Sequence, residues 1–246
     1  MKAAPAAQLR LLDLQAVDTT LAQLAHRRRT LPEHAELDAL ALRVSKQEDE
    51  RVRAAVVVDD LDRDISRLET DIEQVRARKT KDEQRLDGTG LPVREVTALE
   101  HEVASLKRRQ TELEDSELEL MEQRETAQAA LDAITAELAG SRSEREAAEL
   151  RRDGALAAID KDEQFQRTAR GPIAAGVPAD LLALYDKVRD LAGGLAAAPI
   201  RAGRCGGCRI EFSGGEKARI QSLAPDEIIR CEDCRRIMVR TPESGL

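Results

Sequence analysis

Aromatic residues are almost missing from this 246-residue chain, which has no Trp, one Tyr (Tyr185) and two Phe (Phe165 and Phe212). A compact core for a chain of this length needs more large apolar side chains, and recognition of single-stranded nucleic acid needs stacking platforms. Long apolar runs are missing too. No stretch of about 18 apolar residues occurs, so no transmembrane helix and no membrane partner are expected. The opening segment MKAAPAAQLR lacks the apolar run of a secretory signal, and a cytoplasmic location is expected. Positive charge is not in excess. The formal net charge is -8, so bulk charge does not draw this chain to polyanions. Histidines are few, and His26, His34 and His101 lie too far apart for ligand spacing. Cysteine is confined to four residues near the C-terminus. In a cytosolic chain, two close pairs point to metal more than to disulfides.

Charged residues make up 35% of the chain, and Ala, Leu, Glu, Asp and Arg dominate, as in long helices and coiled coils. A first helix is expected from about Ala4 to Arg29, with Leu14, Val17, Leu21 and Leu24 spaced by three and four. Thr30 and Glu33 read as a capping box, and Pro32 is tolerated only in a first turn, so a second helix should start there. No Pro or Gly interrupts the chain from Leu37 to Leu86. Positions spaced three and four apart run through this segment without a slip, among them Leu40, Val44, Val58, Leu61, Ile65 and Ile72. Such sustained spacing argues for a coiled coil. Polar seam positions such as Gln47 and Arg51 set register or reach solvent. Helical rise gives this arm a length of roughly 75 Å.

Asp87-Gly88-Thr89-Gly90-Leu91-Pro92 makes a turn. The heptad pattern then resumes at Val96, Leu99, Val103 and Leu106 and continues to Leu138. Two matched heptad helices joined by a short turn fold back as an antiparallel hairpin. The second arm outruns the first through Ala148 and Ala155 to Ile159, and the excess is expected to pack against the first helix. Gly171-Pro172 is expected to end that arm. Val177-Pro178-Ala179-Asp180 opens a shorter helix with Leu181, Leu182, Tyr185 and Val188 on one side, and Gly193-Gly194 closes it. The fold class is mostly α: a helical domain over residues 1–192, with its hairpin turn near 87–92, and a small β zinc ribbon over 195–241.

The ribbon rests on spacing. Cys205-Gly206-Gly207-Cys208 is followed after 22 residues by Cys231-Glu232-Asp233-Cys234. Zinc takes four thiolates tetrahedrally, and each Cys-x-x-Cys turn sets two sulfurs on one side of an ion. Gly206 and Gly207 suit such turns by accepting positive φ. Strands are expected at 195–200, 209–212, 228–230 and 237–239, with a short helical insert at 216–223. A redox Cys-x-x-Cys would sit in a βαβ context, which is absent. Cys205, Cys208, Cys231 and Cys234 therefore read as the ligands of one structural Zn²⁺. With all four positions filled, no site is left for a catalytic water, and the segment is expected to unfold on chelation. Arg201, Arg204, Arg209, Arg230, Arg235, Arg236 and Arg240 lie near the knuckles. Their guanidinium forks suit phosphates or a protein partner. Arg27-Arg28-Arg29 reads as a solvated helix end.

A coiled-coil hairpin followed by such a ribbon resembles a bacterial family of coiled-coil proteins with a C4-type zinc ribbon. The carrying segments are Arg94-Glu95-Val96-Thr97-Ala98-Leu99-Glu100-His101-Glu102-Val103, the helix from Leu181 to Arg189, and the two cysteine pairs. The resemblance implies a non-enzymatic, cytoplasmic interaction protein. Some members are associated with an alternative sigma factor, flagellar gene expression or RNA binding. The sequence departs from the family at the second knuckle, where Glu232-Asp233 and Arg235 replace the usual Pro-Asn and Gly.

The expected function is a non-enzymatic zinc-binding adaptor, a spacer whose ribbon docks a protein or nucleic acid in transcription or RNA metabolism. The hairpin seam can close within one chain, which allows a monomer. An alternative is a factor that inserts its acidic tip into the secondary channel of RNA polymerase, with Asp82, Glu83 and Asp87 holding Mg²⁺. Lys79, Lys81, Arg85 and Arg94 nearby give that tip a mixed charge. No nucleophile–base arrangement or phosphate loop points to an enzyme or a small-molecule substrate. Ser213-Gly214-Gly215-Glu216-Lys217 lacks P-loop spacing and reads as a ribbon loop.

Overall fold

The structure is a computed structural model that describes residues 1–245. Five helices and four short strands follow in the order α1 (Pro5–Arg29), α2 (Pro32–Leu86), α3 (Val93–Ala175), α4 (Ala179–Leu191), β1 (Ala197–Arg201), β2 (Arg204–Cys205), α5 (Gly214–Ser222), β3 (Ile229–Arg230) and β4 (Ile237–Val239). None of the helices among the described residues is long and apolar enough to cross a membrane. The chain divides into two compact units, Ala35–Glu149 and the remainder, Met1–His34 with everything from Leu150 on.

The first of these units is a two-helix hairpin. Leu40, Val44, Val58 and Ile72 of α2 are buried, as are Leu99, Val103, Leu113 and Leu138 of α3. These are seam positions of the two heptad patterns, because a 3.5-residue repeat keeps one stripe facing the partner helix. Ion pairs across the seam show the antiparallel register. Glu48 meets Arg142 at 2.6 Å, Asp62 meets Arg124 at 2.9 Å, Arg76 meets Glu114 at 2.7 Å and Arg78 meets Glu102 at 2.6 Å. Arg43 also pairs with Glu144. At the turn Gly90 has φ +97°, a conformation that favours glycine, and the Pro92 carbonyl accepts the first N–H groups of α3 from Glu95 and Val96.

The second unit joins α1, the distal part of α3, α4 and the ribbon. Its main core contains Leu11, Leu14, Leu181, Tyr185, Val188, Ala196, Ala197 and Ile237. A second core inside the ribbon gathers Ile200, Phe212, Ile220, Ile229 and Met238 beside Cys205 and Cys231. Leu24 and Leu31 pack on Ile159, so the excess length of the second arm does meet the N-terminal helix. Arg28 fastens the same contact by pairing with Asp160 and Glu163. The ribbon is a four-stranded sheet of order β2-β1-β4-β3, with β1 and β4 parallel and the other pairs antiparallel. The chain start runs beside it. Ala3 N donates to Asp226 O (2.7 Å) and Ile228 N to Met1 O (3.1 Å), covering backbone that would be left unpaired next to β3.

Five expectations change in detail. The buried stripe of α1 is Ala7, Leu11, Leu14 and Leu24 with Gln8, Gln15 and Asp18, so Leu14 and Leu24 are buried as expected whereas Val17 and Leu21 are only half-buried. The stripe is set by α4 and β1 together, which cover a face that apolar spacing alone does not mark. Thr30 closes α1 instead of capping α2, because its hydroxyl donates to the His26 carbonyl at 3.0 Å. The third helix runs through Gly171-Pro172 to Ala175. Pro172 forfeits the N–H that would bond the carbonyl four residues back, and the packing of Ile173 and Ala174 on the main core holds this last turn in place. Residues 209–212 form no strand, only an isolated bridge between Arg204 and Glu211, since Arg209 has φ +65° and leaves the extended region. Finally, Ser213 is the N-cap of α5 and accepts from Glu216 N at 3.1 Å, so the segment read as a loop opens a helix.

Candidate metal centre

Each cysteine pair sits on a turn that follows a short strand. Cys205 ends β2, and Cys231 follows β3 directly. The two turns share one hydrogen-bond pattern. In the first, Arg209 N donates to Cys205 O at 2.7 Å and Cys205 N to Ile210 O at 3.1 Å. In the second, Arg235 N donates to Cys231 O at 3.1 Å and Cys231 N to Arg236 O at 2.9 Å. The equivalence accounts for a shared feature of the residues just after each pair. Arg209 has φ +65° and Arg235 has φ +61°. Closing the turn back onto the first cysteine requires a left-handed residue at that point, a place glycine usually fills.

The first knuckle's glycines serve a different purpose from the one expected. Neither Gly206 nor Gly207 has positive φ; what they supply is room. A Cβ on Gly206 would lie 2.5 Å from the Pro199 carbonyl oxygen, to which its own N–H donates at 2.9 Å. A Cβ on Gly207 would lie 2.8 Å from Cδ of Arg236. The first knuckle is thus pressed against β1 and against a side chain from the second knuckle.

The four sulfurs lie within 4.8 Å of one another. Cys205 and Cys234 are 3.8 Å apart at sulfur, as are Cys208 and Cys231. A disulfide needs about 2.05 Å, and all four cysteines are free. Tetrahedral zinc with Zn–S bonds of about 2.3 Å places its sulfurs about 3.8 Å apart. The donor set and its spacing therefore fit one zinc ion with no open coordination position. Burial pushes the Cys205 and Cys231 thiols up. Burial also opposes the Cys234 thiolate, but hydrogen bonds from Arg236 and from the neighbouring cysteines bring it down to about 7. Four thiolates packed this closely repel one another, and a divalent cation offsets that repulsion.

The seven arginines near the knuckles are not equivalent. Arg236 reaches inward and donates to Leu195 O (2.8 Å) and Ala192 O (3.1 Å), tying the second knuckle to the end of α4. Arg240 donates to three carbonyls around the end of α5, the nearest Ile220 O at 2.8 Å. Arg204 pairs with Glu211, Arg201 with Glu243, and Arg230 donates to Arg235 O. Arg209 and Arg235 are exposed, and among the described residues no carboxylate pairs with either.

Sequence reasoning missed the group that seats the ribbon on the helices. Gln15 Oε1 accepts from Ala196 N (2.6 Å) and Ala197 N (3.1 Å), while its Nε2 donates to Gly194 O (2.9 Å). Asp18, one turn on, accepts from Tyr185 OH at 2.9 Å and from Arg170 Nε at 2.7 Å, with Arg189 at 3.3 Å. Burial opposes the Asp18 charge, but the bonds from Arg170, Tyr185 and Arg189 win and hold its carboxyl below the usual range. Burial and the Asp18 charge push the Tyr185 phenol up. The available signal was two polar residues at i and i+3 beside Leu11 and Leu14, on the buried face of α1.

Residues 14–193 match the model of the CT398-like coiled coil hairpin domain, and residues 204–238 match that of a C4-type zinc ribbon domain. An uncharacterized protein of Mycobacterium tuberculosis is 36% identical over 240 residues, covering 98% of each chain. A solved structure from Mycobacterium smegmatis superposes with a TM-score of 0.87 at 34% identity, over 98% of this chain and 100% of that one. CT398 from Chlamydia trachomatis shares the fold, with a TM-score of 0.68 at 17% identity over 96% and 98% of the two chains. The hairpin, the four-cysteine ribbon and these matches together show that the chain belongs to the family of CT398-like coiled-coil hairpin proteins that end in a C4-type zinc ribbon.

Proposed function

We propose that this protein is a cytoplasmic, non-enzymatic adaptor in transcription or RNA metabolism, whose ribbon docks a protein or nucleic acid. The division that goes with this reading is a helical spacer domain over residues 1–192 and a docking ribbon over 195–241. Cys205, Cys208, Cys231 and Cys234 each give one thiolate to the zinc ion, whose contribution is to hold the two knuckles together. With four thiolate ligands the ion has no position for substrate or water, so its chemistry is structural. The hairpin seam closes within one chain, in keeping with a monomer.

The observation that carries the docking reading is the pair Arg209 and Arg235. Each occupies a left-handed position that glycine would fill with less strain. Each presents its side chain to solvent, and among the described residues neither has a partnering carboxylate. Strain kept at two equivalent places, both carrying an exposed guanidinium, points to a use for those side chains outside the fold. Arg201, Arg204 and Arg230 are also exposed, the first two paired with Glu243 and Glu211, while Arg236 and Arg240 brace the ribbon through backbone carbonyls.

The test is affinity purification from the native host with wild type and with Arg209→Gly/Arg235→Gly, each with and without nuclease. The glycines relieve backbone strain, so the variant folds. A partner lost with the variant supports the reading; one retained at wild-type level overturns it. Nuclease sensitivity assigns the partner to nucleic acid.

The secondary-channel alternative gains nothing from the tip. Asp82 is buried in the hairpin, Glu83 pairs with Lys107 at 3.3 Å and Arg85 with Glu95 at 3.3 Å. A pair of carboxylates free to hold Mg²⁺ is therefore not assembled there.

A further inference from the structure

The middle of the hairpin differs from its tip and from the ribbon. Residues 112–125 of α3 contain seven carboxylates and one arginine, and residues 57–64 of α2 contain four and one. Glu112, Asp115, Glu119 and Glu122 are spaced by three, four and three, so they form one stripe along the helix. Among the described residues, Asp115, Glu119 and Glu122 have no cation within ion-pair reach. Beside this stripe lies a groove of about 760 Å³. It is lined by Val57, Leu61 and Ala127 together with carboxylates from both helices, Asp60 and Asp64 of α2 and Glu119 and Glu122 of α3. Arg63 and Arg67, which pair with Asp60 and Asp64, lie outside the lining. Val57 is 50% exposed and its neighbour Val56 49%, so apolar surface is open to solvent beside these carboxylates.

We infer that this groove is a second docking surface, and that its occupant is a basic amphipathic helix of a partner protein. The shape argues for a helix. An apolar channel between two packed helices, flanked by stripes at three-four spacing, accepts a third helix whose own apolar stripe enters the channel. The charge argues for basic flanks, since carboxylates from both helices would face the e and g positions of the incoming helix. The same charge excludes nucleic acid, and it excludes the matching face of a second copy, which would set carboxylate against carboxylate. The hairpin in this view is a binding element in its own right, independent of what the ribbon docks.

The test uses the full-length, zinc-loaded protein and a labelled 21-residue peptide with Leu at heptad a and d and Lys at e and g. A control peptide has the same lysines with Ser in place of Leu. Fluorescence anisotropy at low salt should show saturable binding of the Leu peptide, weakened at least about tenfold by Asp60→Asn/Asp64→Asn/Glu119→Gln/Glu122→Gln. Val57→Ser should weaken it as well. Circular dichroism on each variant checks that the hairpin is intact; these side chains are exposed and their replacement leaves the seam alone. A photo-crosslinker on the peptide should mark residues 57–64 and 119–130. Equal binding of the Ser control, unchanged binding by the variants, or crosslinks elsewhere would each overturn the proposal. The Arg209→Gly/Arg235→Gly variant should bind the peptide as wild type does, so failure here is distinct from failure of the ribbon reading.

Discussion

Gln15 is the residue on which the attachment of the ribbon depends most directly. Its side chain satisfies two backbone N–H groups and one carbonyl in the segment entering β1. An aliphatic substitute of similar size leaves those buried groups unpaired, at about 1–3 kcal/mol each. Gln15→Leu should therefore lower the urea midpoint of the zinc-loaded protein by an amount equivalent to about 3 kcal/mol or more. A change within error would mean that water replaces the amide. The left-handed arginines give a prediction of opposite sign. The αL conformation costs a non-glycine residue about 1–2 kcal/mol, part of which glycine returns through its freer unfolded state. Arg235→Gly should raise the ribbon's stability by up to about 1 kcal/mol, read from hydrogen exchange of β3 and β4. Asp18 carries a pH dependence. Its pKa in the folded protein lies below the ordinary 3.8. Its contribution is therefore complete above that value and is lost as pH falls through the folded pKa. The urea midpoint difference between wild type and Asp18→Asn should shrink as pH is lowered from 6 toward 3. A difference that stays constant would show that the Asp18 charge is not what the bonds from Arg170 and Tyr185 stabilise.

Among the elements, α2 and α3 are held by a repeated seam, and their charged pairs contribute little individually. Asp62 and Arg124 are both well exposed, at 50% and 37% of their side chains. Exposed pairs of this kind are typically worth about 0.2–1 kcal/mol. A double-mutant cycle on Asp62→Ala and Arg124→Ala should return only a small coupling, one that vanishes in high salt. What such pairs settle is alignment. A slip by one heptad would unmatch the pairs from Arg43–Glu144 to Arg85–Glu95 together. The last turn of α3 shows the limit of local rules at this scale. Gly171-Pro172 is a strong breaker in isolation, yet Ile173 and Ala174 pack on the main core and keep the helix going to Ala175.

For the whole molecule, the metal and the helices share the work of ordering the ribbon. Its inner core depends on the cysteines, since Cys205 and Cys231 are part of the cluster with Phe212 and Met238. Ala196, Ala197 and Ile237 belong instead to the core shared with α1 and α4. Zinc removal by a strong chelator should therefore have a divided effect. Amide protection should be lost across 200–240, while far-UV circular dichroism falls by only a small fraction and the Tyr185 environment survives. Cys231→Ser should reproduce the pattern without chelator. Retained protection of β3 and β4 after metal removal would show that packing on the helices alone orders the ribbon.

The seam residues, the hairpin turn at 87–92 and the paired cysteines were legible in the sequence because each is a local pattern. A heptad repeat, a Gly/Pro cluster and a Cys-x-x-Cys spacing carry their meaning within a few turns of chain. The tertiary structure alone decided what each knuckle residue does. Gly206 and Gly207 are glycines because Pro199 and Arg236 leave no room for a Cβ, and the strained turn falls on Arg209 and Arg235. It also decided that Gln15 and Asp18, polar residues on an apolar stripe, seat the ribbon, and that Arg236 and Arg240 face inward. These roles depend on contacts between segments as far apart as α1 and β1. Such contacts follow from which backbone groups are left without partners once the helices and strands have packed, and no short stretch of sequence encodes that.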